Sequence, residues 1–148
     1  EANLPRETPP KIEDFPIRVS DIVRYRDMDR QQHVNNAVFS TYFESGRVGL
    51  IYDKENGLQV EGATSVVARL EIDFLGELHW PGTVEIGTAI EEIGNSSFRF
   101  IAAVFHKGAC AAVARTTMVL IDQLASLVEA QIALQRAFAV SGTRLTWA

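Results

Sequence analysis

Apolar residues recur at two different periods along this chain, and the switches between them mark out its elements. Ile17, Val19, Ile22, Val23 and Tyr25 predict a first strand over Ile17–Arg26. From Ala37 to about Tyr52 the spacing becomes helical. Phe39, Tyr42, Phe43, Gly46 and Leu50 fall on one stripe at i, i+3, i+4 intervals. Gly46 lowers helix propensity in the middle of that stripe, so its expected use is close packing against a sheet. Asn35 or Asn36 is the natural N-cap.

The segment from Thr64 to Asp122 returns to strand periodicity. Ser65–Leu75 is rich in Val, Leu, Ile and Phe. Thr83–Ile93 alternates through Val84, Ile86, Thr88 and Ile90, and Phe98–Phe105 through Phe98, Phe100, Ala102 and Val104. Ala111–Ile121 is a run of small and branched residues. Turn residues separate them at His79-Trp80-Pro81-Gly82, Gly94-Asn95-Ser96 and Lys107-Gly108, the last two spaced for hairpins. A final helix is expected from Leu127. Ser126 and Glu129 form its capping-box pattern, and Leu127, Ala130, Leu134 and Phe138 its apolar face.

Strand, helix, four strands and helix make an α+β layout. The sheet has to wrap the first helix to bury Phe39, Phe43 and Leu50. Four of the five prolines lie in residues 1–16, which reads as a flexible arm ahead of a single domain over 17–140 and a tail at 141–148.

At 148 residues, 47% hydrophobic and 22% charged, the composition is that of an ordinary globular domain. The net charge of −5 argues against a nucleic-acid partner. It leaves room for an anionic ligand held by a few local basic groups. Cys110 is the only cysteine, so no internal disulfide is expected, and its simplest role is that of a small buried hydrophobe. No apolar run approaches the ~20 residues of a membrane span, and no signal-like start is present. The expected setting is the cytoplasm, with no membrane partner.

Candidate chemistry concentrates in Val23–Gly49, VRYRDMDRQQHVNNAVFSTYFESGRVG. Arg24, Tyr25, Asp27, Asp29, His33, Val34, Asn35 and Asn36 match the pattern R-[YW]-x-D-x-D-x-x-G-H-V-N-N. Tyr42, Phe43, Glu44 and Arg47 match the Y-F-E-x-x-R pattern of the helix that follows. On these residues the chain resembles the 4-hydroxybenzoyl-CoA thioesterase-like branch of the hotdog superfamily. The Leu70–Asp122 strands resemble it more loosely, and about two-thirds of the chain is covered. One position departs: Gln32 stands where the family usually has Gly, just before the histidine.

The resemblance implies a hotdog fold, a curved antiparallel sheet around a long helix. It implies hydrolysis of an acyl-CoA or acyl-carrier thioester by a homodimer or homotetramer, with sites at the subunit interface. No metal or redox cofactor is implied, CoA entering as part of the substrate. Asp29 is implied as the catalytic carboxylate, and the backbone N–H near Asn36 as the holder of the thioester oxygen. Both roles make chemical sense. A thioester carbonyl gathers negative charge on oxygen when attacked, and the first N–H groups of a helix lack internal partners and sit at its positive end. The leaving thiol has a pKa near ~8.5 and departs without a strong acid. Asp29 would serve as nucleophile or as general base to water, and the sequence leaves both open.

Each residue also has a plainer reading. Asp29 fits a turn or cap. Asp27 suits a structural turn or a pairing with Arg24 or Arg26. His33 could orient Asp29, act as acid or base, or only pack the loop. Asn35 and Asn36 suit caps, with Asn35 also a candidate substrate contact. Glu44 and Arg47 suggest a helix-surface ion pair. Phe39 and Phe43 suggest core, with a possible share in an acyl pocket. Arg69, Arg99, Lys107 and Arg115 are candidates for CoA phosphates, Arg69 and Arg99 foremost. Asp27, Asp29 and His33 lack a convincing further ligand for a metal. Two rival functions stay open: a hydratase or dehydratase of enoyl or hydroxyacyl thioesters enlisting Asp29 and His33, and a protein that binds acyl thioesters without turnover.

Overall fold

The computed structural model describes residues 8–52 and 64–121. Five strands form one antiparallel sheet in the order β1-β3-β4-β5-β2. They are β1 (Ile17–Val23), β2 (Ser65–Phe74), β3 (Gly82–Ile93), β4 (Ser97–His106) and β5 (Ala109–Leu120). The helix α1 (Asn36–Ile51) lies on one face of the curved sheet. This is the hotdog arrangement. The expected final helix, with Ser126 and Glu129, lies outside the described residues.

The middle of the sheet is built by two hairpins, β3–β4 and β4–β5, at the two turns expected for them. Lys107 and Gly108 both take positive φ, 48° and 79°, as a two-residue hairpin loop requires. The helix packs its stripe on this block. Phe39, Tyr42 and Phe43 meet Val84, Ile86, Ala102 and Val104. Leu50 joins Ile90, Phe98, Phe100 and Met118 further along. Gly46 has the expected use: a Cβ there would stand 2.5 Å from Thr88 Oγ1 and 2.7 Å from the Ile86 side chain.

Four expectations need correction. β4 is buried on both faces, not one, because Ile101, Ala103 and Phe105 cluster on the far side with Ala89, Val113 and Phe15. Phe15 comes from the proline-rich lead. Residues Ile12–Asp14 form a short 3-10 helix, and Phe15 lies over Gly87, where a Cβ would be 2.5 Å from its ring. The first strand stops at Val23, because Tyr25–Asp27 tighten into a 3-10 turn. Arg47 is not on the helix surface with Glu44. It is buried and donates to Thr116 Oγ1 at 3.3 Å, and burial works against its charge while Glu44 supports it.

The two sheet edges differ. β1 is half-covered along its length, whereas β2 leaves Val66, Val67, Leu70 and Phe74 exposed.

Candidate active site

The segment from Arg24 to Asn36 is held by a ladder of local bonds. Asp27 is buried, and its Oδ2 accepts the Arg24 N–H at 2.7 Å and the Tyr42 hydroxyl at 3.3 Å. Its role is structural, as expected, but its partners are a backbone N–H and a phenol, not a guanidinium. Burial, with the Asp27 carboxylate alongside, pushes the Tyr42 phenol well above its ordinary range. The Asn35 N–H donates to the Asp27 carbonyl at 2.9 Å and so ties the start of α1 to this turn.

Asp29 opens a miniature hairpin. Its N–H donates to the His33 carbonyl at 3.0 Å, its carbonyl accepts the Gln32 N–H at 3.1 Å, and Met28 pairs with Val34 beyond it. This is a type I turn followed by one residue that must take positive φ, a position glycine normally fills. Gln32 occupies it with φ 66°. The Gly of the family pattern thus answers a real backbone demand, which Gln32 meets at a steric cost.

The Asp29 carboxylate divides its oxygens. Oδ1 accepts the Gln31 N–H at 2.8 Å, while Oδ2 lies 3.5 Å from His33 Nδ1. Its side chain is 26% exposed. Asp29 does not cap the helix. That task falls to Asn35, whose Oδ1 accepts the Ala37 N–H at 2.9 Å. The Val38 N–H reaches the Asn35 carbonyl at 2.9 Å. Asn36 is the first helical residue, and among the described residues its N–H has no acceptor.

A cavity of about 490 Å³ opens at this point, lined by Tyr25, Met28, Asp29, Gln32, His79 and Trp80. The Tyr25 and Trp80 rings meet edge to face with centroids 5.2 Å apart. His79 Nδ1 lies 3.0 Å from the Gln32 carbonyl oxygen, and its ring centroid is 6.5 Å from that of His33. His79 and Trp80 were legible in the sequence only as turn residues. The available signal was an imidazole and an indole in a turn where small polar residues usually suffice.

The structure thus gathers Asp29 and His33, with Asn35 and Asn36 following directly. The other candidates lie apart. Phe39 and Phe43 sit in the core under α1, and neither lines the cavity. Arg69 is exposed on β2 and paired with Glu71. Arg99 pairs with Glu91 at 2.8 Å and Glu92 at 2.7 Å. It stands toward the β3–β4 turn, about 24 Å along β4 from the His106 end. Arg115 shares Glu91 at 3.1 Å, and Lys107 is in the β4–β5 turn. Among the described residues, no three His, Cys, Asp or Glu side chains are grouped so as to hold a metal ion, and no helix is long and apolar enough to cross a membrane.

Residues 23–138 match the model of the thioesterase-like superfamily. The chain belongs to that superfamily. It is a hydrolase of thioesters with the hotdog fold. A thioesterase from Thermus thermophilus, crystallised with coenzyme A and Zn, is 31% identical; the match covers 90% of this chain and 99% of that one, at a TM-score of 0.69. The DHNA-CoA thioesterase of Staphylococcus aureus shares the fold at 19% identity, covering 80% of this chain and 90% of its own, also at a TM-score of 0.69. No curated protein matches the chain.

Proposed function

We propose that this thioesterase hydrolyses acyl-CoA, with Asp29 as the activating carboxylate and the Asn36 N–H as the oxyanion donor. The observation that carries the reading is Asp29 itself. It is a partly exposed carboxylate in the wall of an open cavity, one oxygen fixed by its own turn and the other facing His33. A helix N-terminus follows seven residues later, and its first N–H lacks an acceptor among the described residues. The coenzyme A bound to the Thermus thermophilus relative supports CoA as the thiol. The acyl carbonyl rests on the Asn36 N–H, where developing charge is stabilised by a donor already in place. Asp29 either attacks the carbonyl carbon, giving an anhydride that water then hydrolyses to free acid and Asp29, or takes a proton from the attacking water. The thiolate of CoA leaves, and no cofactor of the protein's own is required. His33 bears on the orientation of Asp29.

The test is release of free thiol from a panel of short, long and aromatic acyl-CoAs, by the native protein and by Asp29→Asn. The variant should lose about 100- to 10,000-fold in kcat with an unchanged circular dichroism spectrum. Near-native turnover by Asp29→Asn overturns the assignment. Stabilisation by acyl-CoA without thiol release by the native protein overturns acyl-CoA as the substrate.

The same reading includes a homodimer or homotetramer. Exposed Val66, Val67, Leu70 and Phe74 line a ten-residue edge strand, and pairing with a second copy would cover them. Sedimentation at the monomer mass across micromolar concentrations overturns this part.

A further inference from the structure

Gln32 holds a left-handed conformation that disfavours any side chain, in the turn that carries Asp29. The turn's own hydrogen bonds, at 3.0, 3.1 and 2.8 Å, work against the steric preference of a side chain at this φ, which favours relaxation of Gln32 toward negative φ. That relaxation would rotate the peptide planes on either side of Gln32, one of which bears the Gln32 carbonyl. The carbonyl is held from outside. His79, forty-seven residues away in the β2–β3 connection, places Nδ1 at 3.0 Å from it. A carbonyl only accepts, so Nδ1 must carry the hydrogen. The other ring nitrogen, Nε2, faces the Glu77 carboxylate at 3.4 Å.

We propose that His79 is the positioning residue for Asp29: its Nδ1–H clamps the Gln32 carbonyl, fixes the left-handed turn and so fixes the carboxylate that the turn presents to the cavity. The proposal rests on the reading of Asp29 as the activating carboxylate. A glycine at position 32 would hold the turn unaided. Gln32 and His79 therefore form one device split between two loops, the second supplying what the first lacks. The contact is also well placed for alignment. His79 and Asp29 both line the cavity, so the clamp acts at the site's own wall.

Three His79 variants, a Gln32→Gly background and one spectrum decide it. His79→Asn keeps an N–H donor where Nδ1 stood, whereas His79→Gln carries its amide where Nε2 stood. His79→Ala and His79→Gln should lower kcat about three- to tenfold, the range of one hydrogen bond between partly exposed groups, with KM little changed. His79→Asn should restore most of it. In a Gln32→Gly background, His79→Ala should lower kcat less than about twofold, because glycine takes the left-handed conformation freely. Equal losses in His79→Asn and His79→Gln, or an undiminished loss on the glycine background, overturn the proposal. Nitrogen-15 NMR of the His79 ring should show hydrogen on Nδ1, alone or with a second hydrogen on the Nε2 that faces Glu77, and hydrogen on Nε2 alone overturns the proposal whatever the activities. This spectrum does not depend on Asp29. If Asp29→Asn stays active while the ring carries Nδ1–H, the site reading has failed and the clamp has not.

Discussion

The β3–β4–β5 block and the Arg24–Asn36 segment are built on opposite terms. The block is three long strands joined by tight hairpins, apolar on both faces through β4, its residues of positive φ at Lys107 and Gly108 in a turn with open space around it. The site segment is polar, half-exposed and short of regular structure. It places Gln32 where glycine belongs and leaves the Asn36 N–H without an acceptor among the described residues. One region spends its sequence on stability, the other on presenting a carboxylate and a donor. Substitutions in the two should therefore separate stability from turnover.

The largest effect expected from the block is on folding. Phe100 is 1% exposed and stacks edge to face with Phe98 at 5.2 Å. Phe100→Ala should lower unfolding free energy by about 3–5 kcal/mol, read by urea denaturation, with kcat of the folded protein unchanged. A fall in kcat matching the fall in stability would join the two regions into one cooperative site and break the comparison.

The converse test is Asn36→Pro beside Asn36→Ala. Proline removes the N–H at the first helical position, where no helical bond is lost. Asn35 already has ψ 137°, as a residue before proline requires. The proline variant should lose about 100- to 1,000-fold in kcat and the alanine variant little, at similar melting temperatures. Equal losses would transfer the role to the side chain, and a fully active proline variant would place the donor elsewhere.

The smallest effect is a pH dependence confined to the block. Burial pushes the Cys110 thiol up from 9.0 to about 11. The folded chain then keeps a proton that the unfolded chain gives up. The contribution is whole below about pH 9 and falls as pH rises toward 11. Cys110→Ser should flatten the decline of melting temperature over that window. An identical alkaline decline in the variant would remove Cys110 as its source.

Much of the fold was legible because periodicity reports a one-sided environment. Phe39, Tyr42, Phe43, Gly46 and Leu50 all bury, and both predicted hairpins form. The misreadings have separate physical causes. Periodicity is silent where both faces are covered, which hid Ile101, Ala103 and Phe105, and a charge masks membership of a stripe, which hid Arg47. Phe15 was obscured by its proline neighbours. At the candidate site, Asp29, His33, Asn35 and Asn36 could be singled out together because they lie within eight residues of sequence. His79 and Trp80 reach the cavity from a connection far along the chain, and no local spacing announces that. Arg99 was offered as a phosphate ligand because its carboxylate partners, Glu91 and Glu92, are brought to it across the sheet, whereas the partner of Arg69, Glu71, stands only two residues along the same strand.

The close seat of α1 at Gly46 also limits what this protein can become. With Thr88 Oγ1 only 2.5 Å from where a methyl group would begin, this point between helix and sheet has no room for a single added carbon. Any larger residue at position 46 has to lift the helix or displace the Thr88 and Ile86 side chains, so the spacing of α1 from the sheet is set at one residue and cannot drift by small steps.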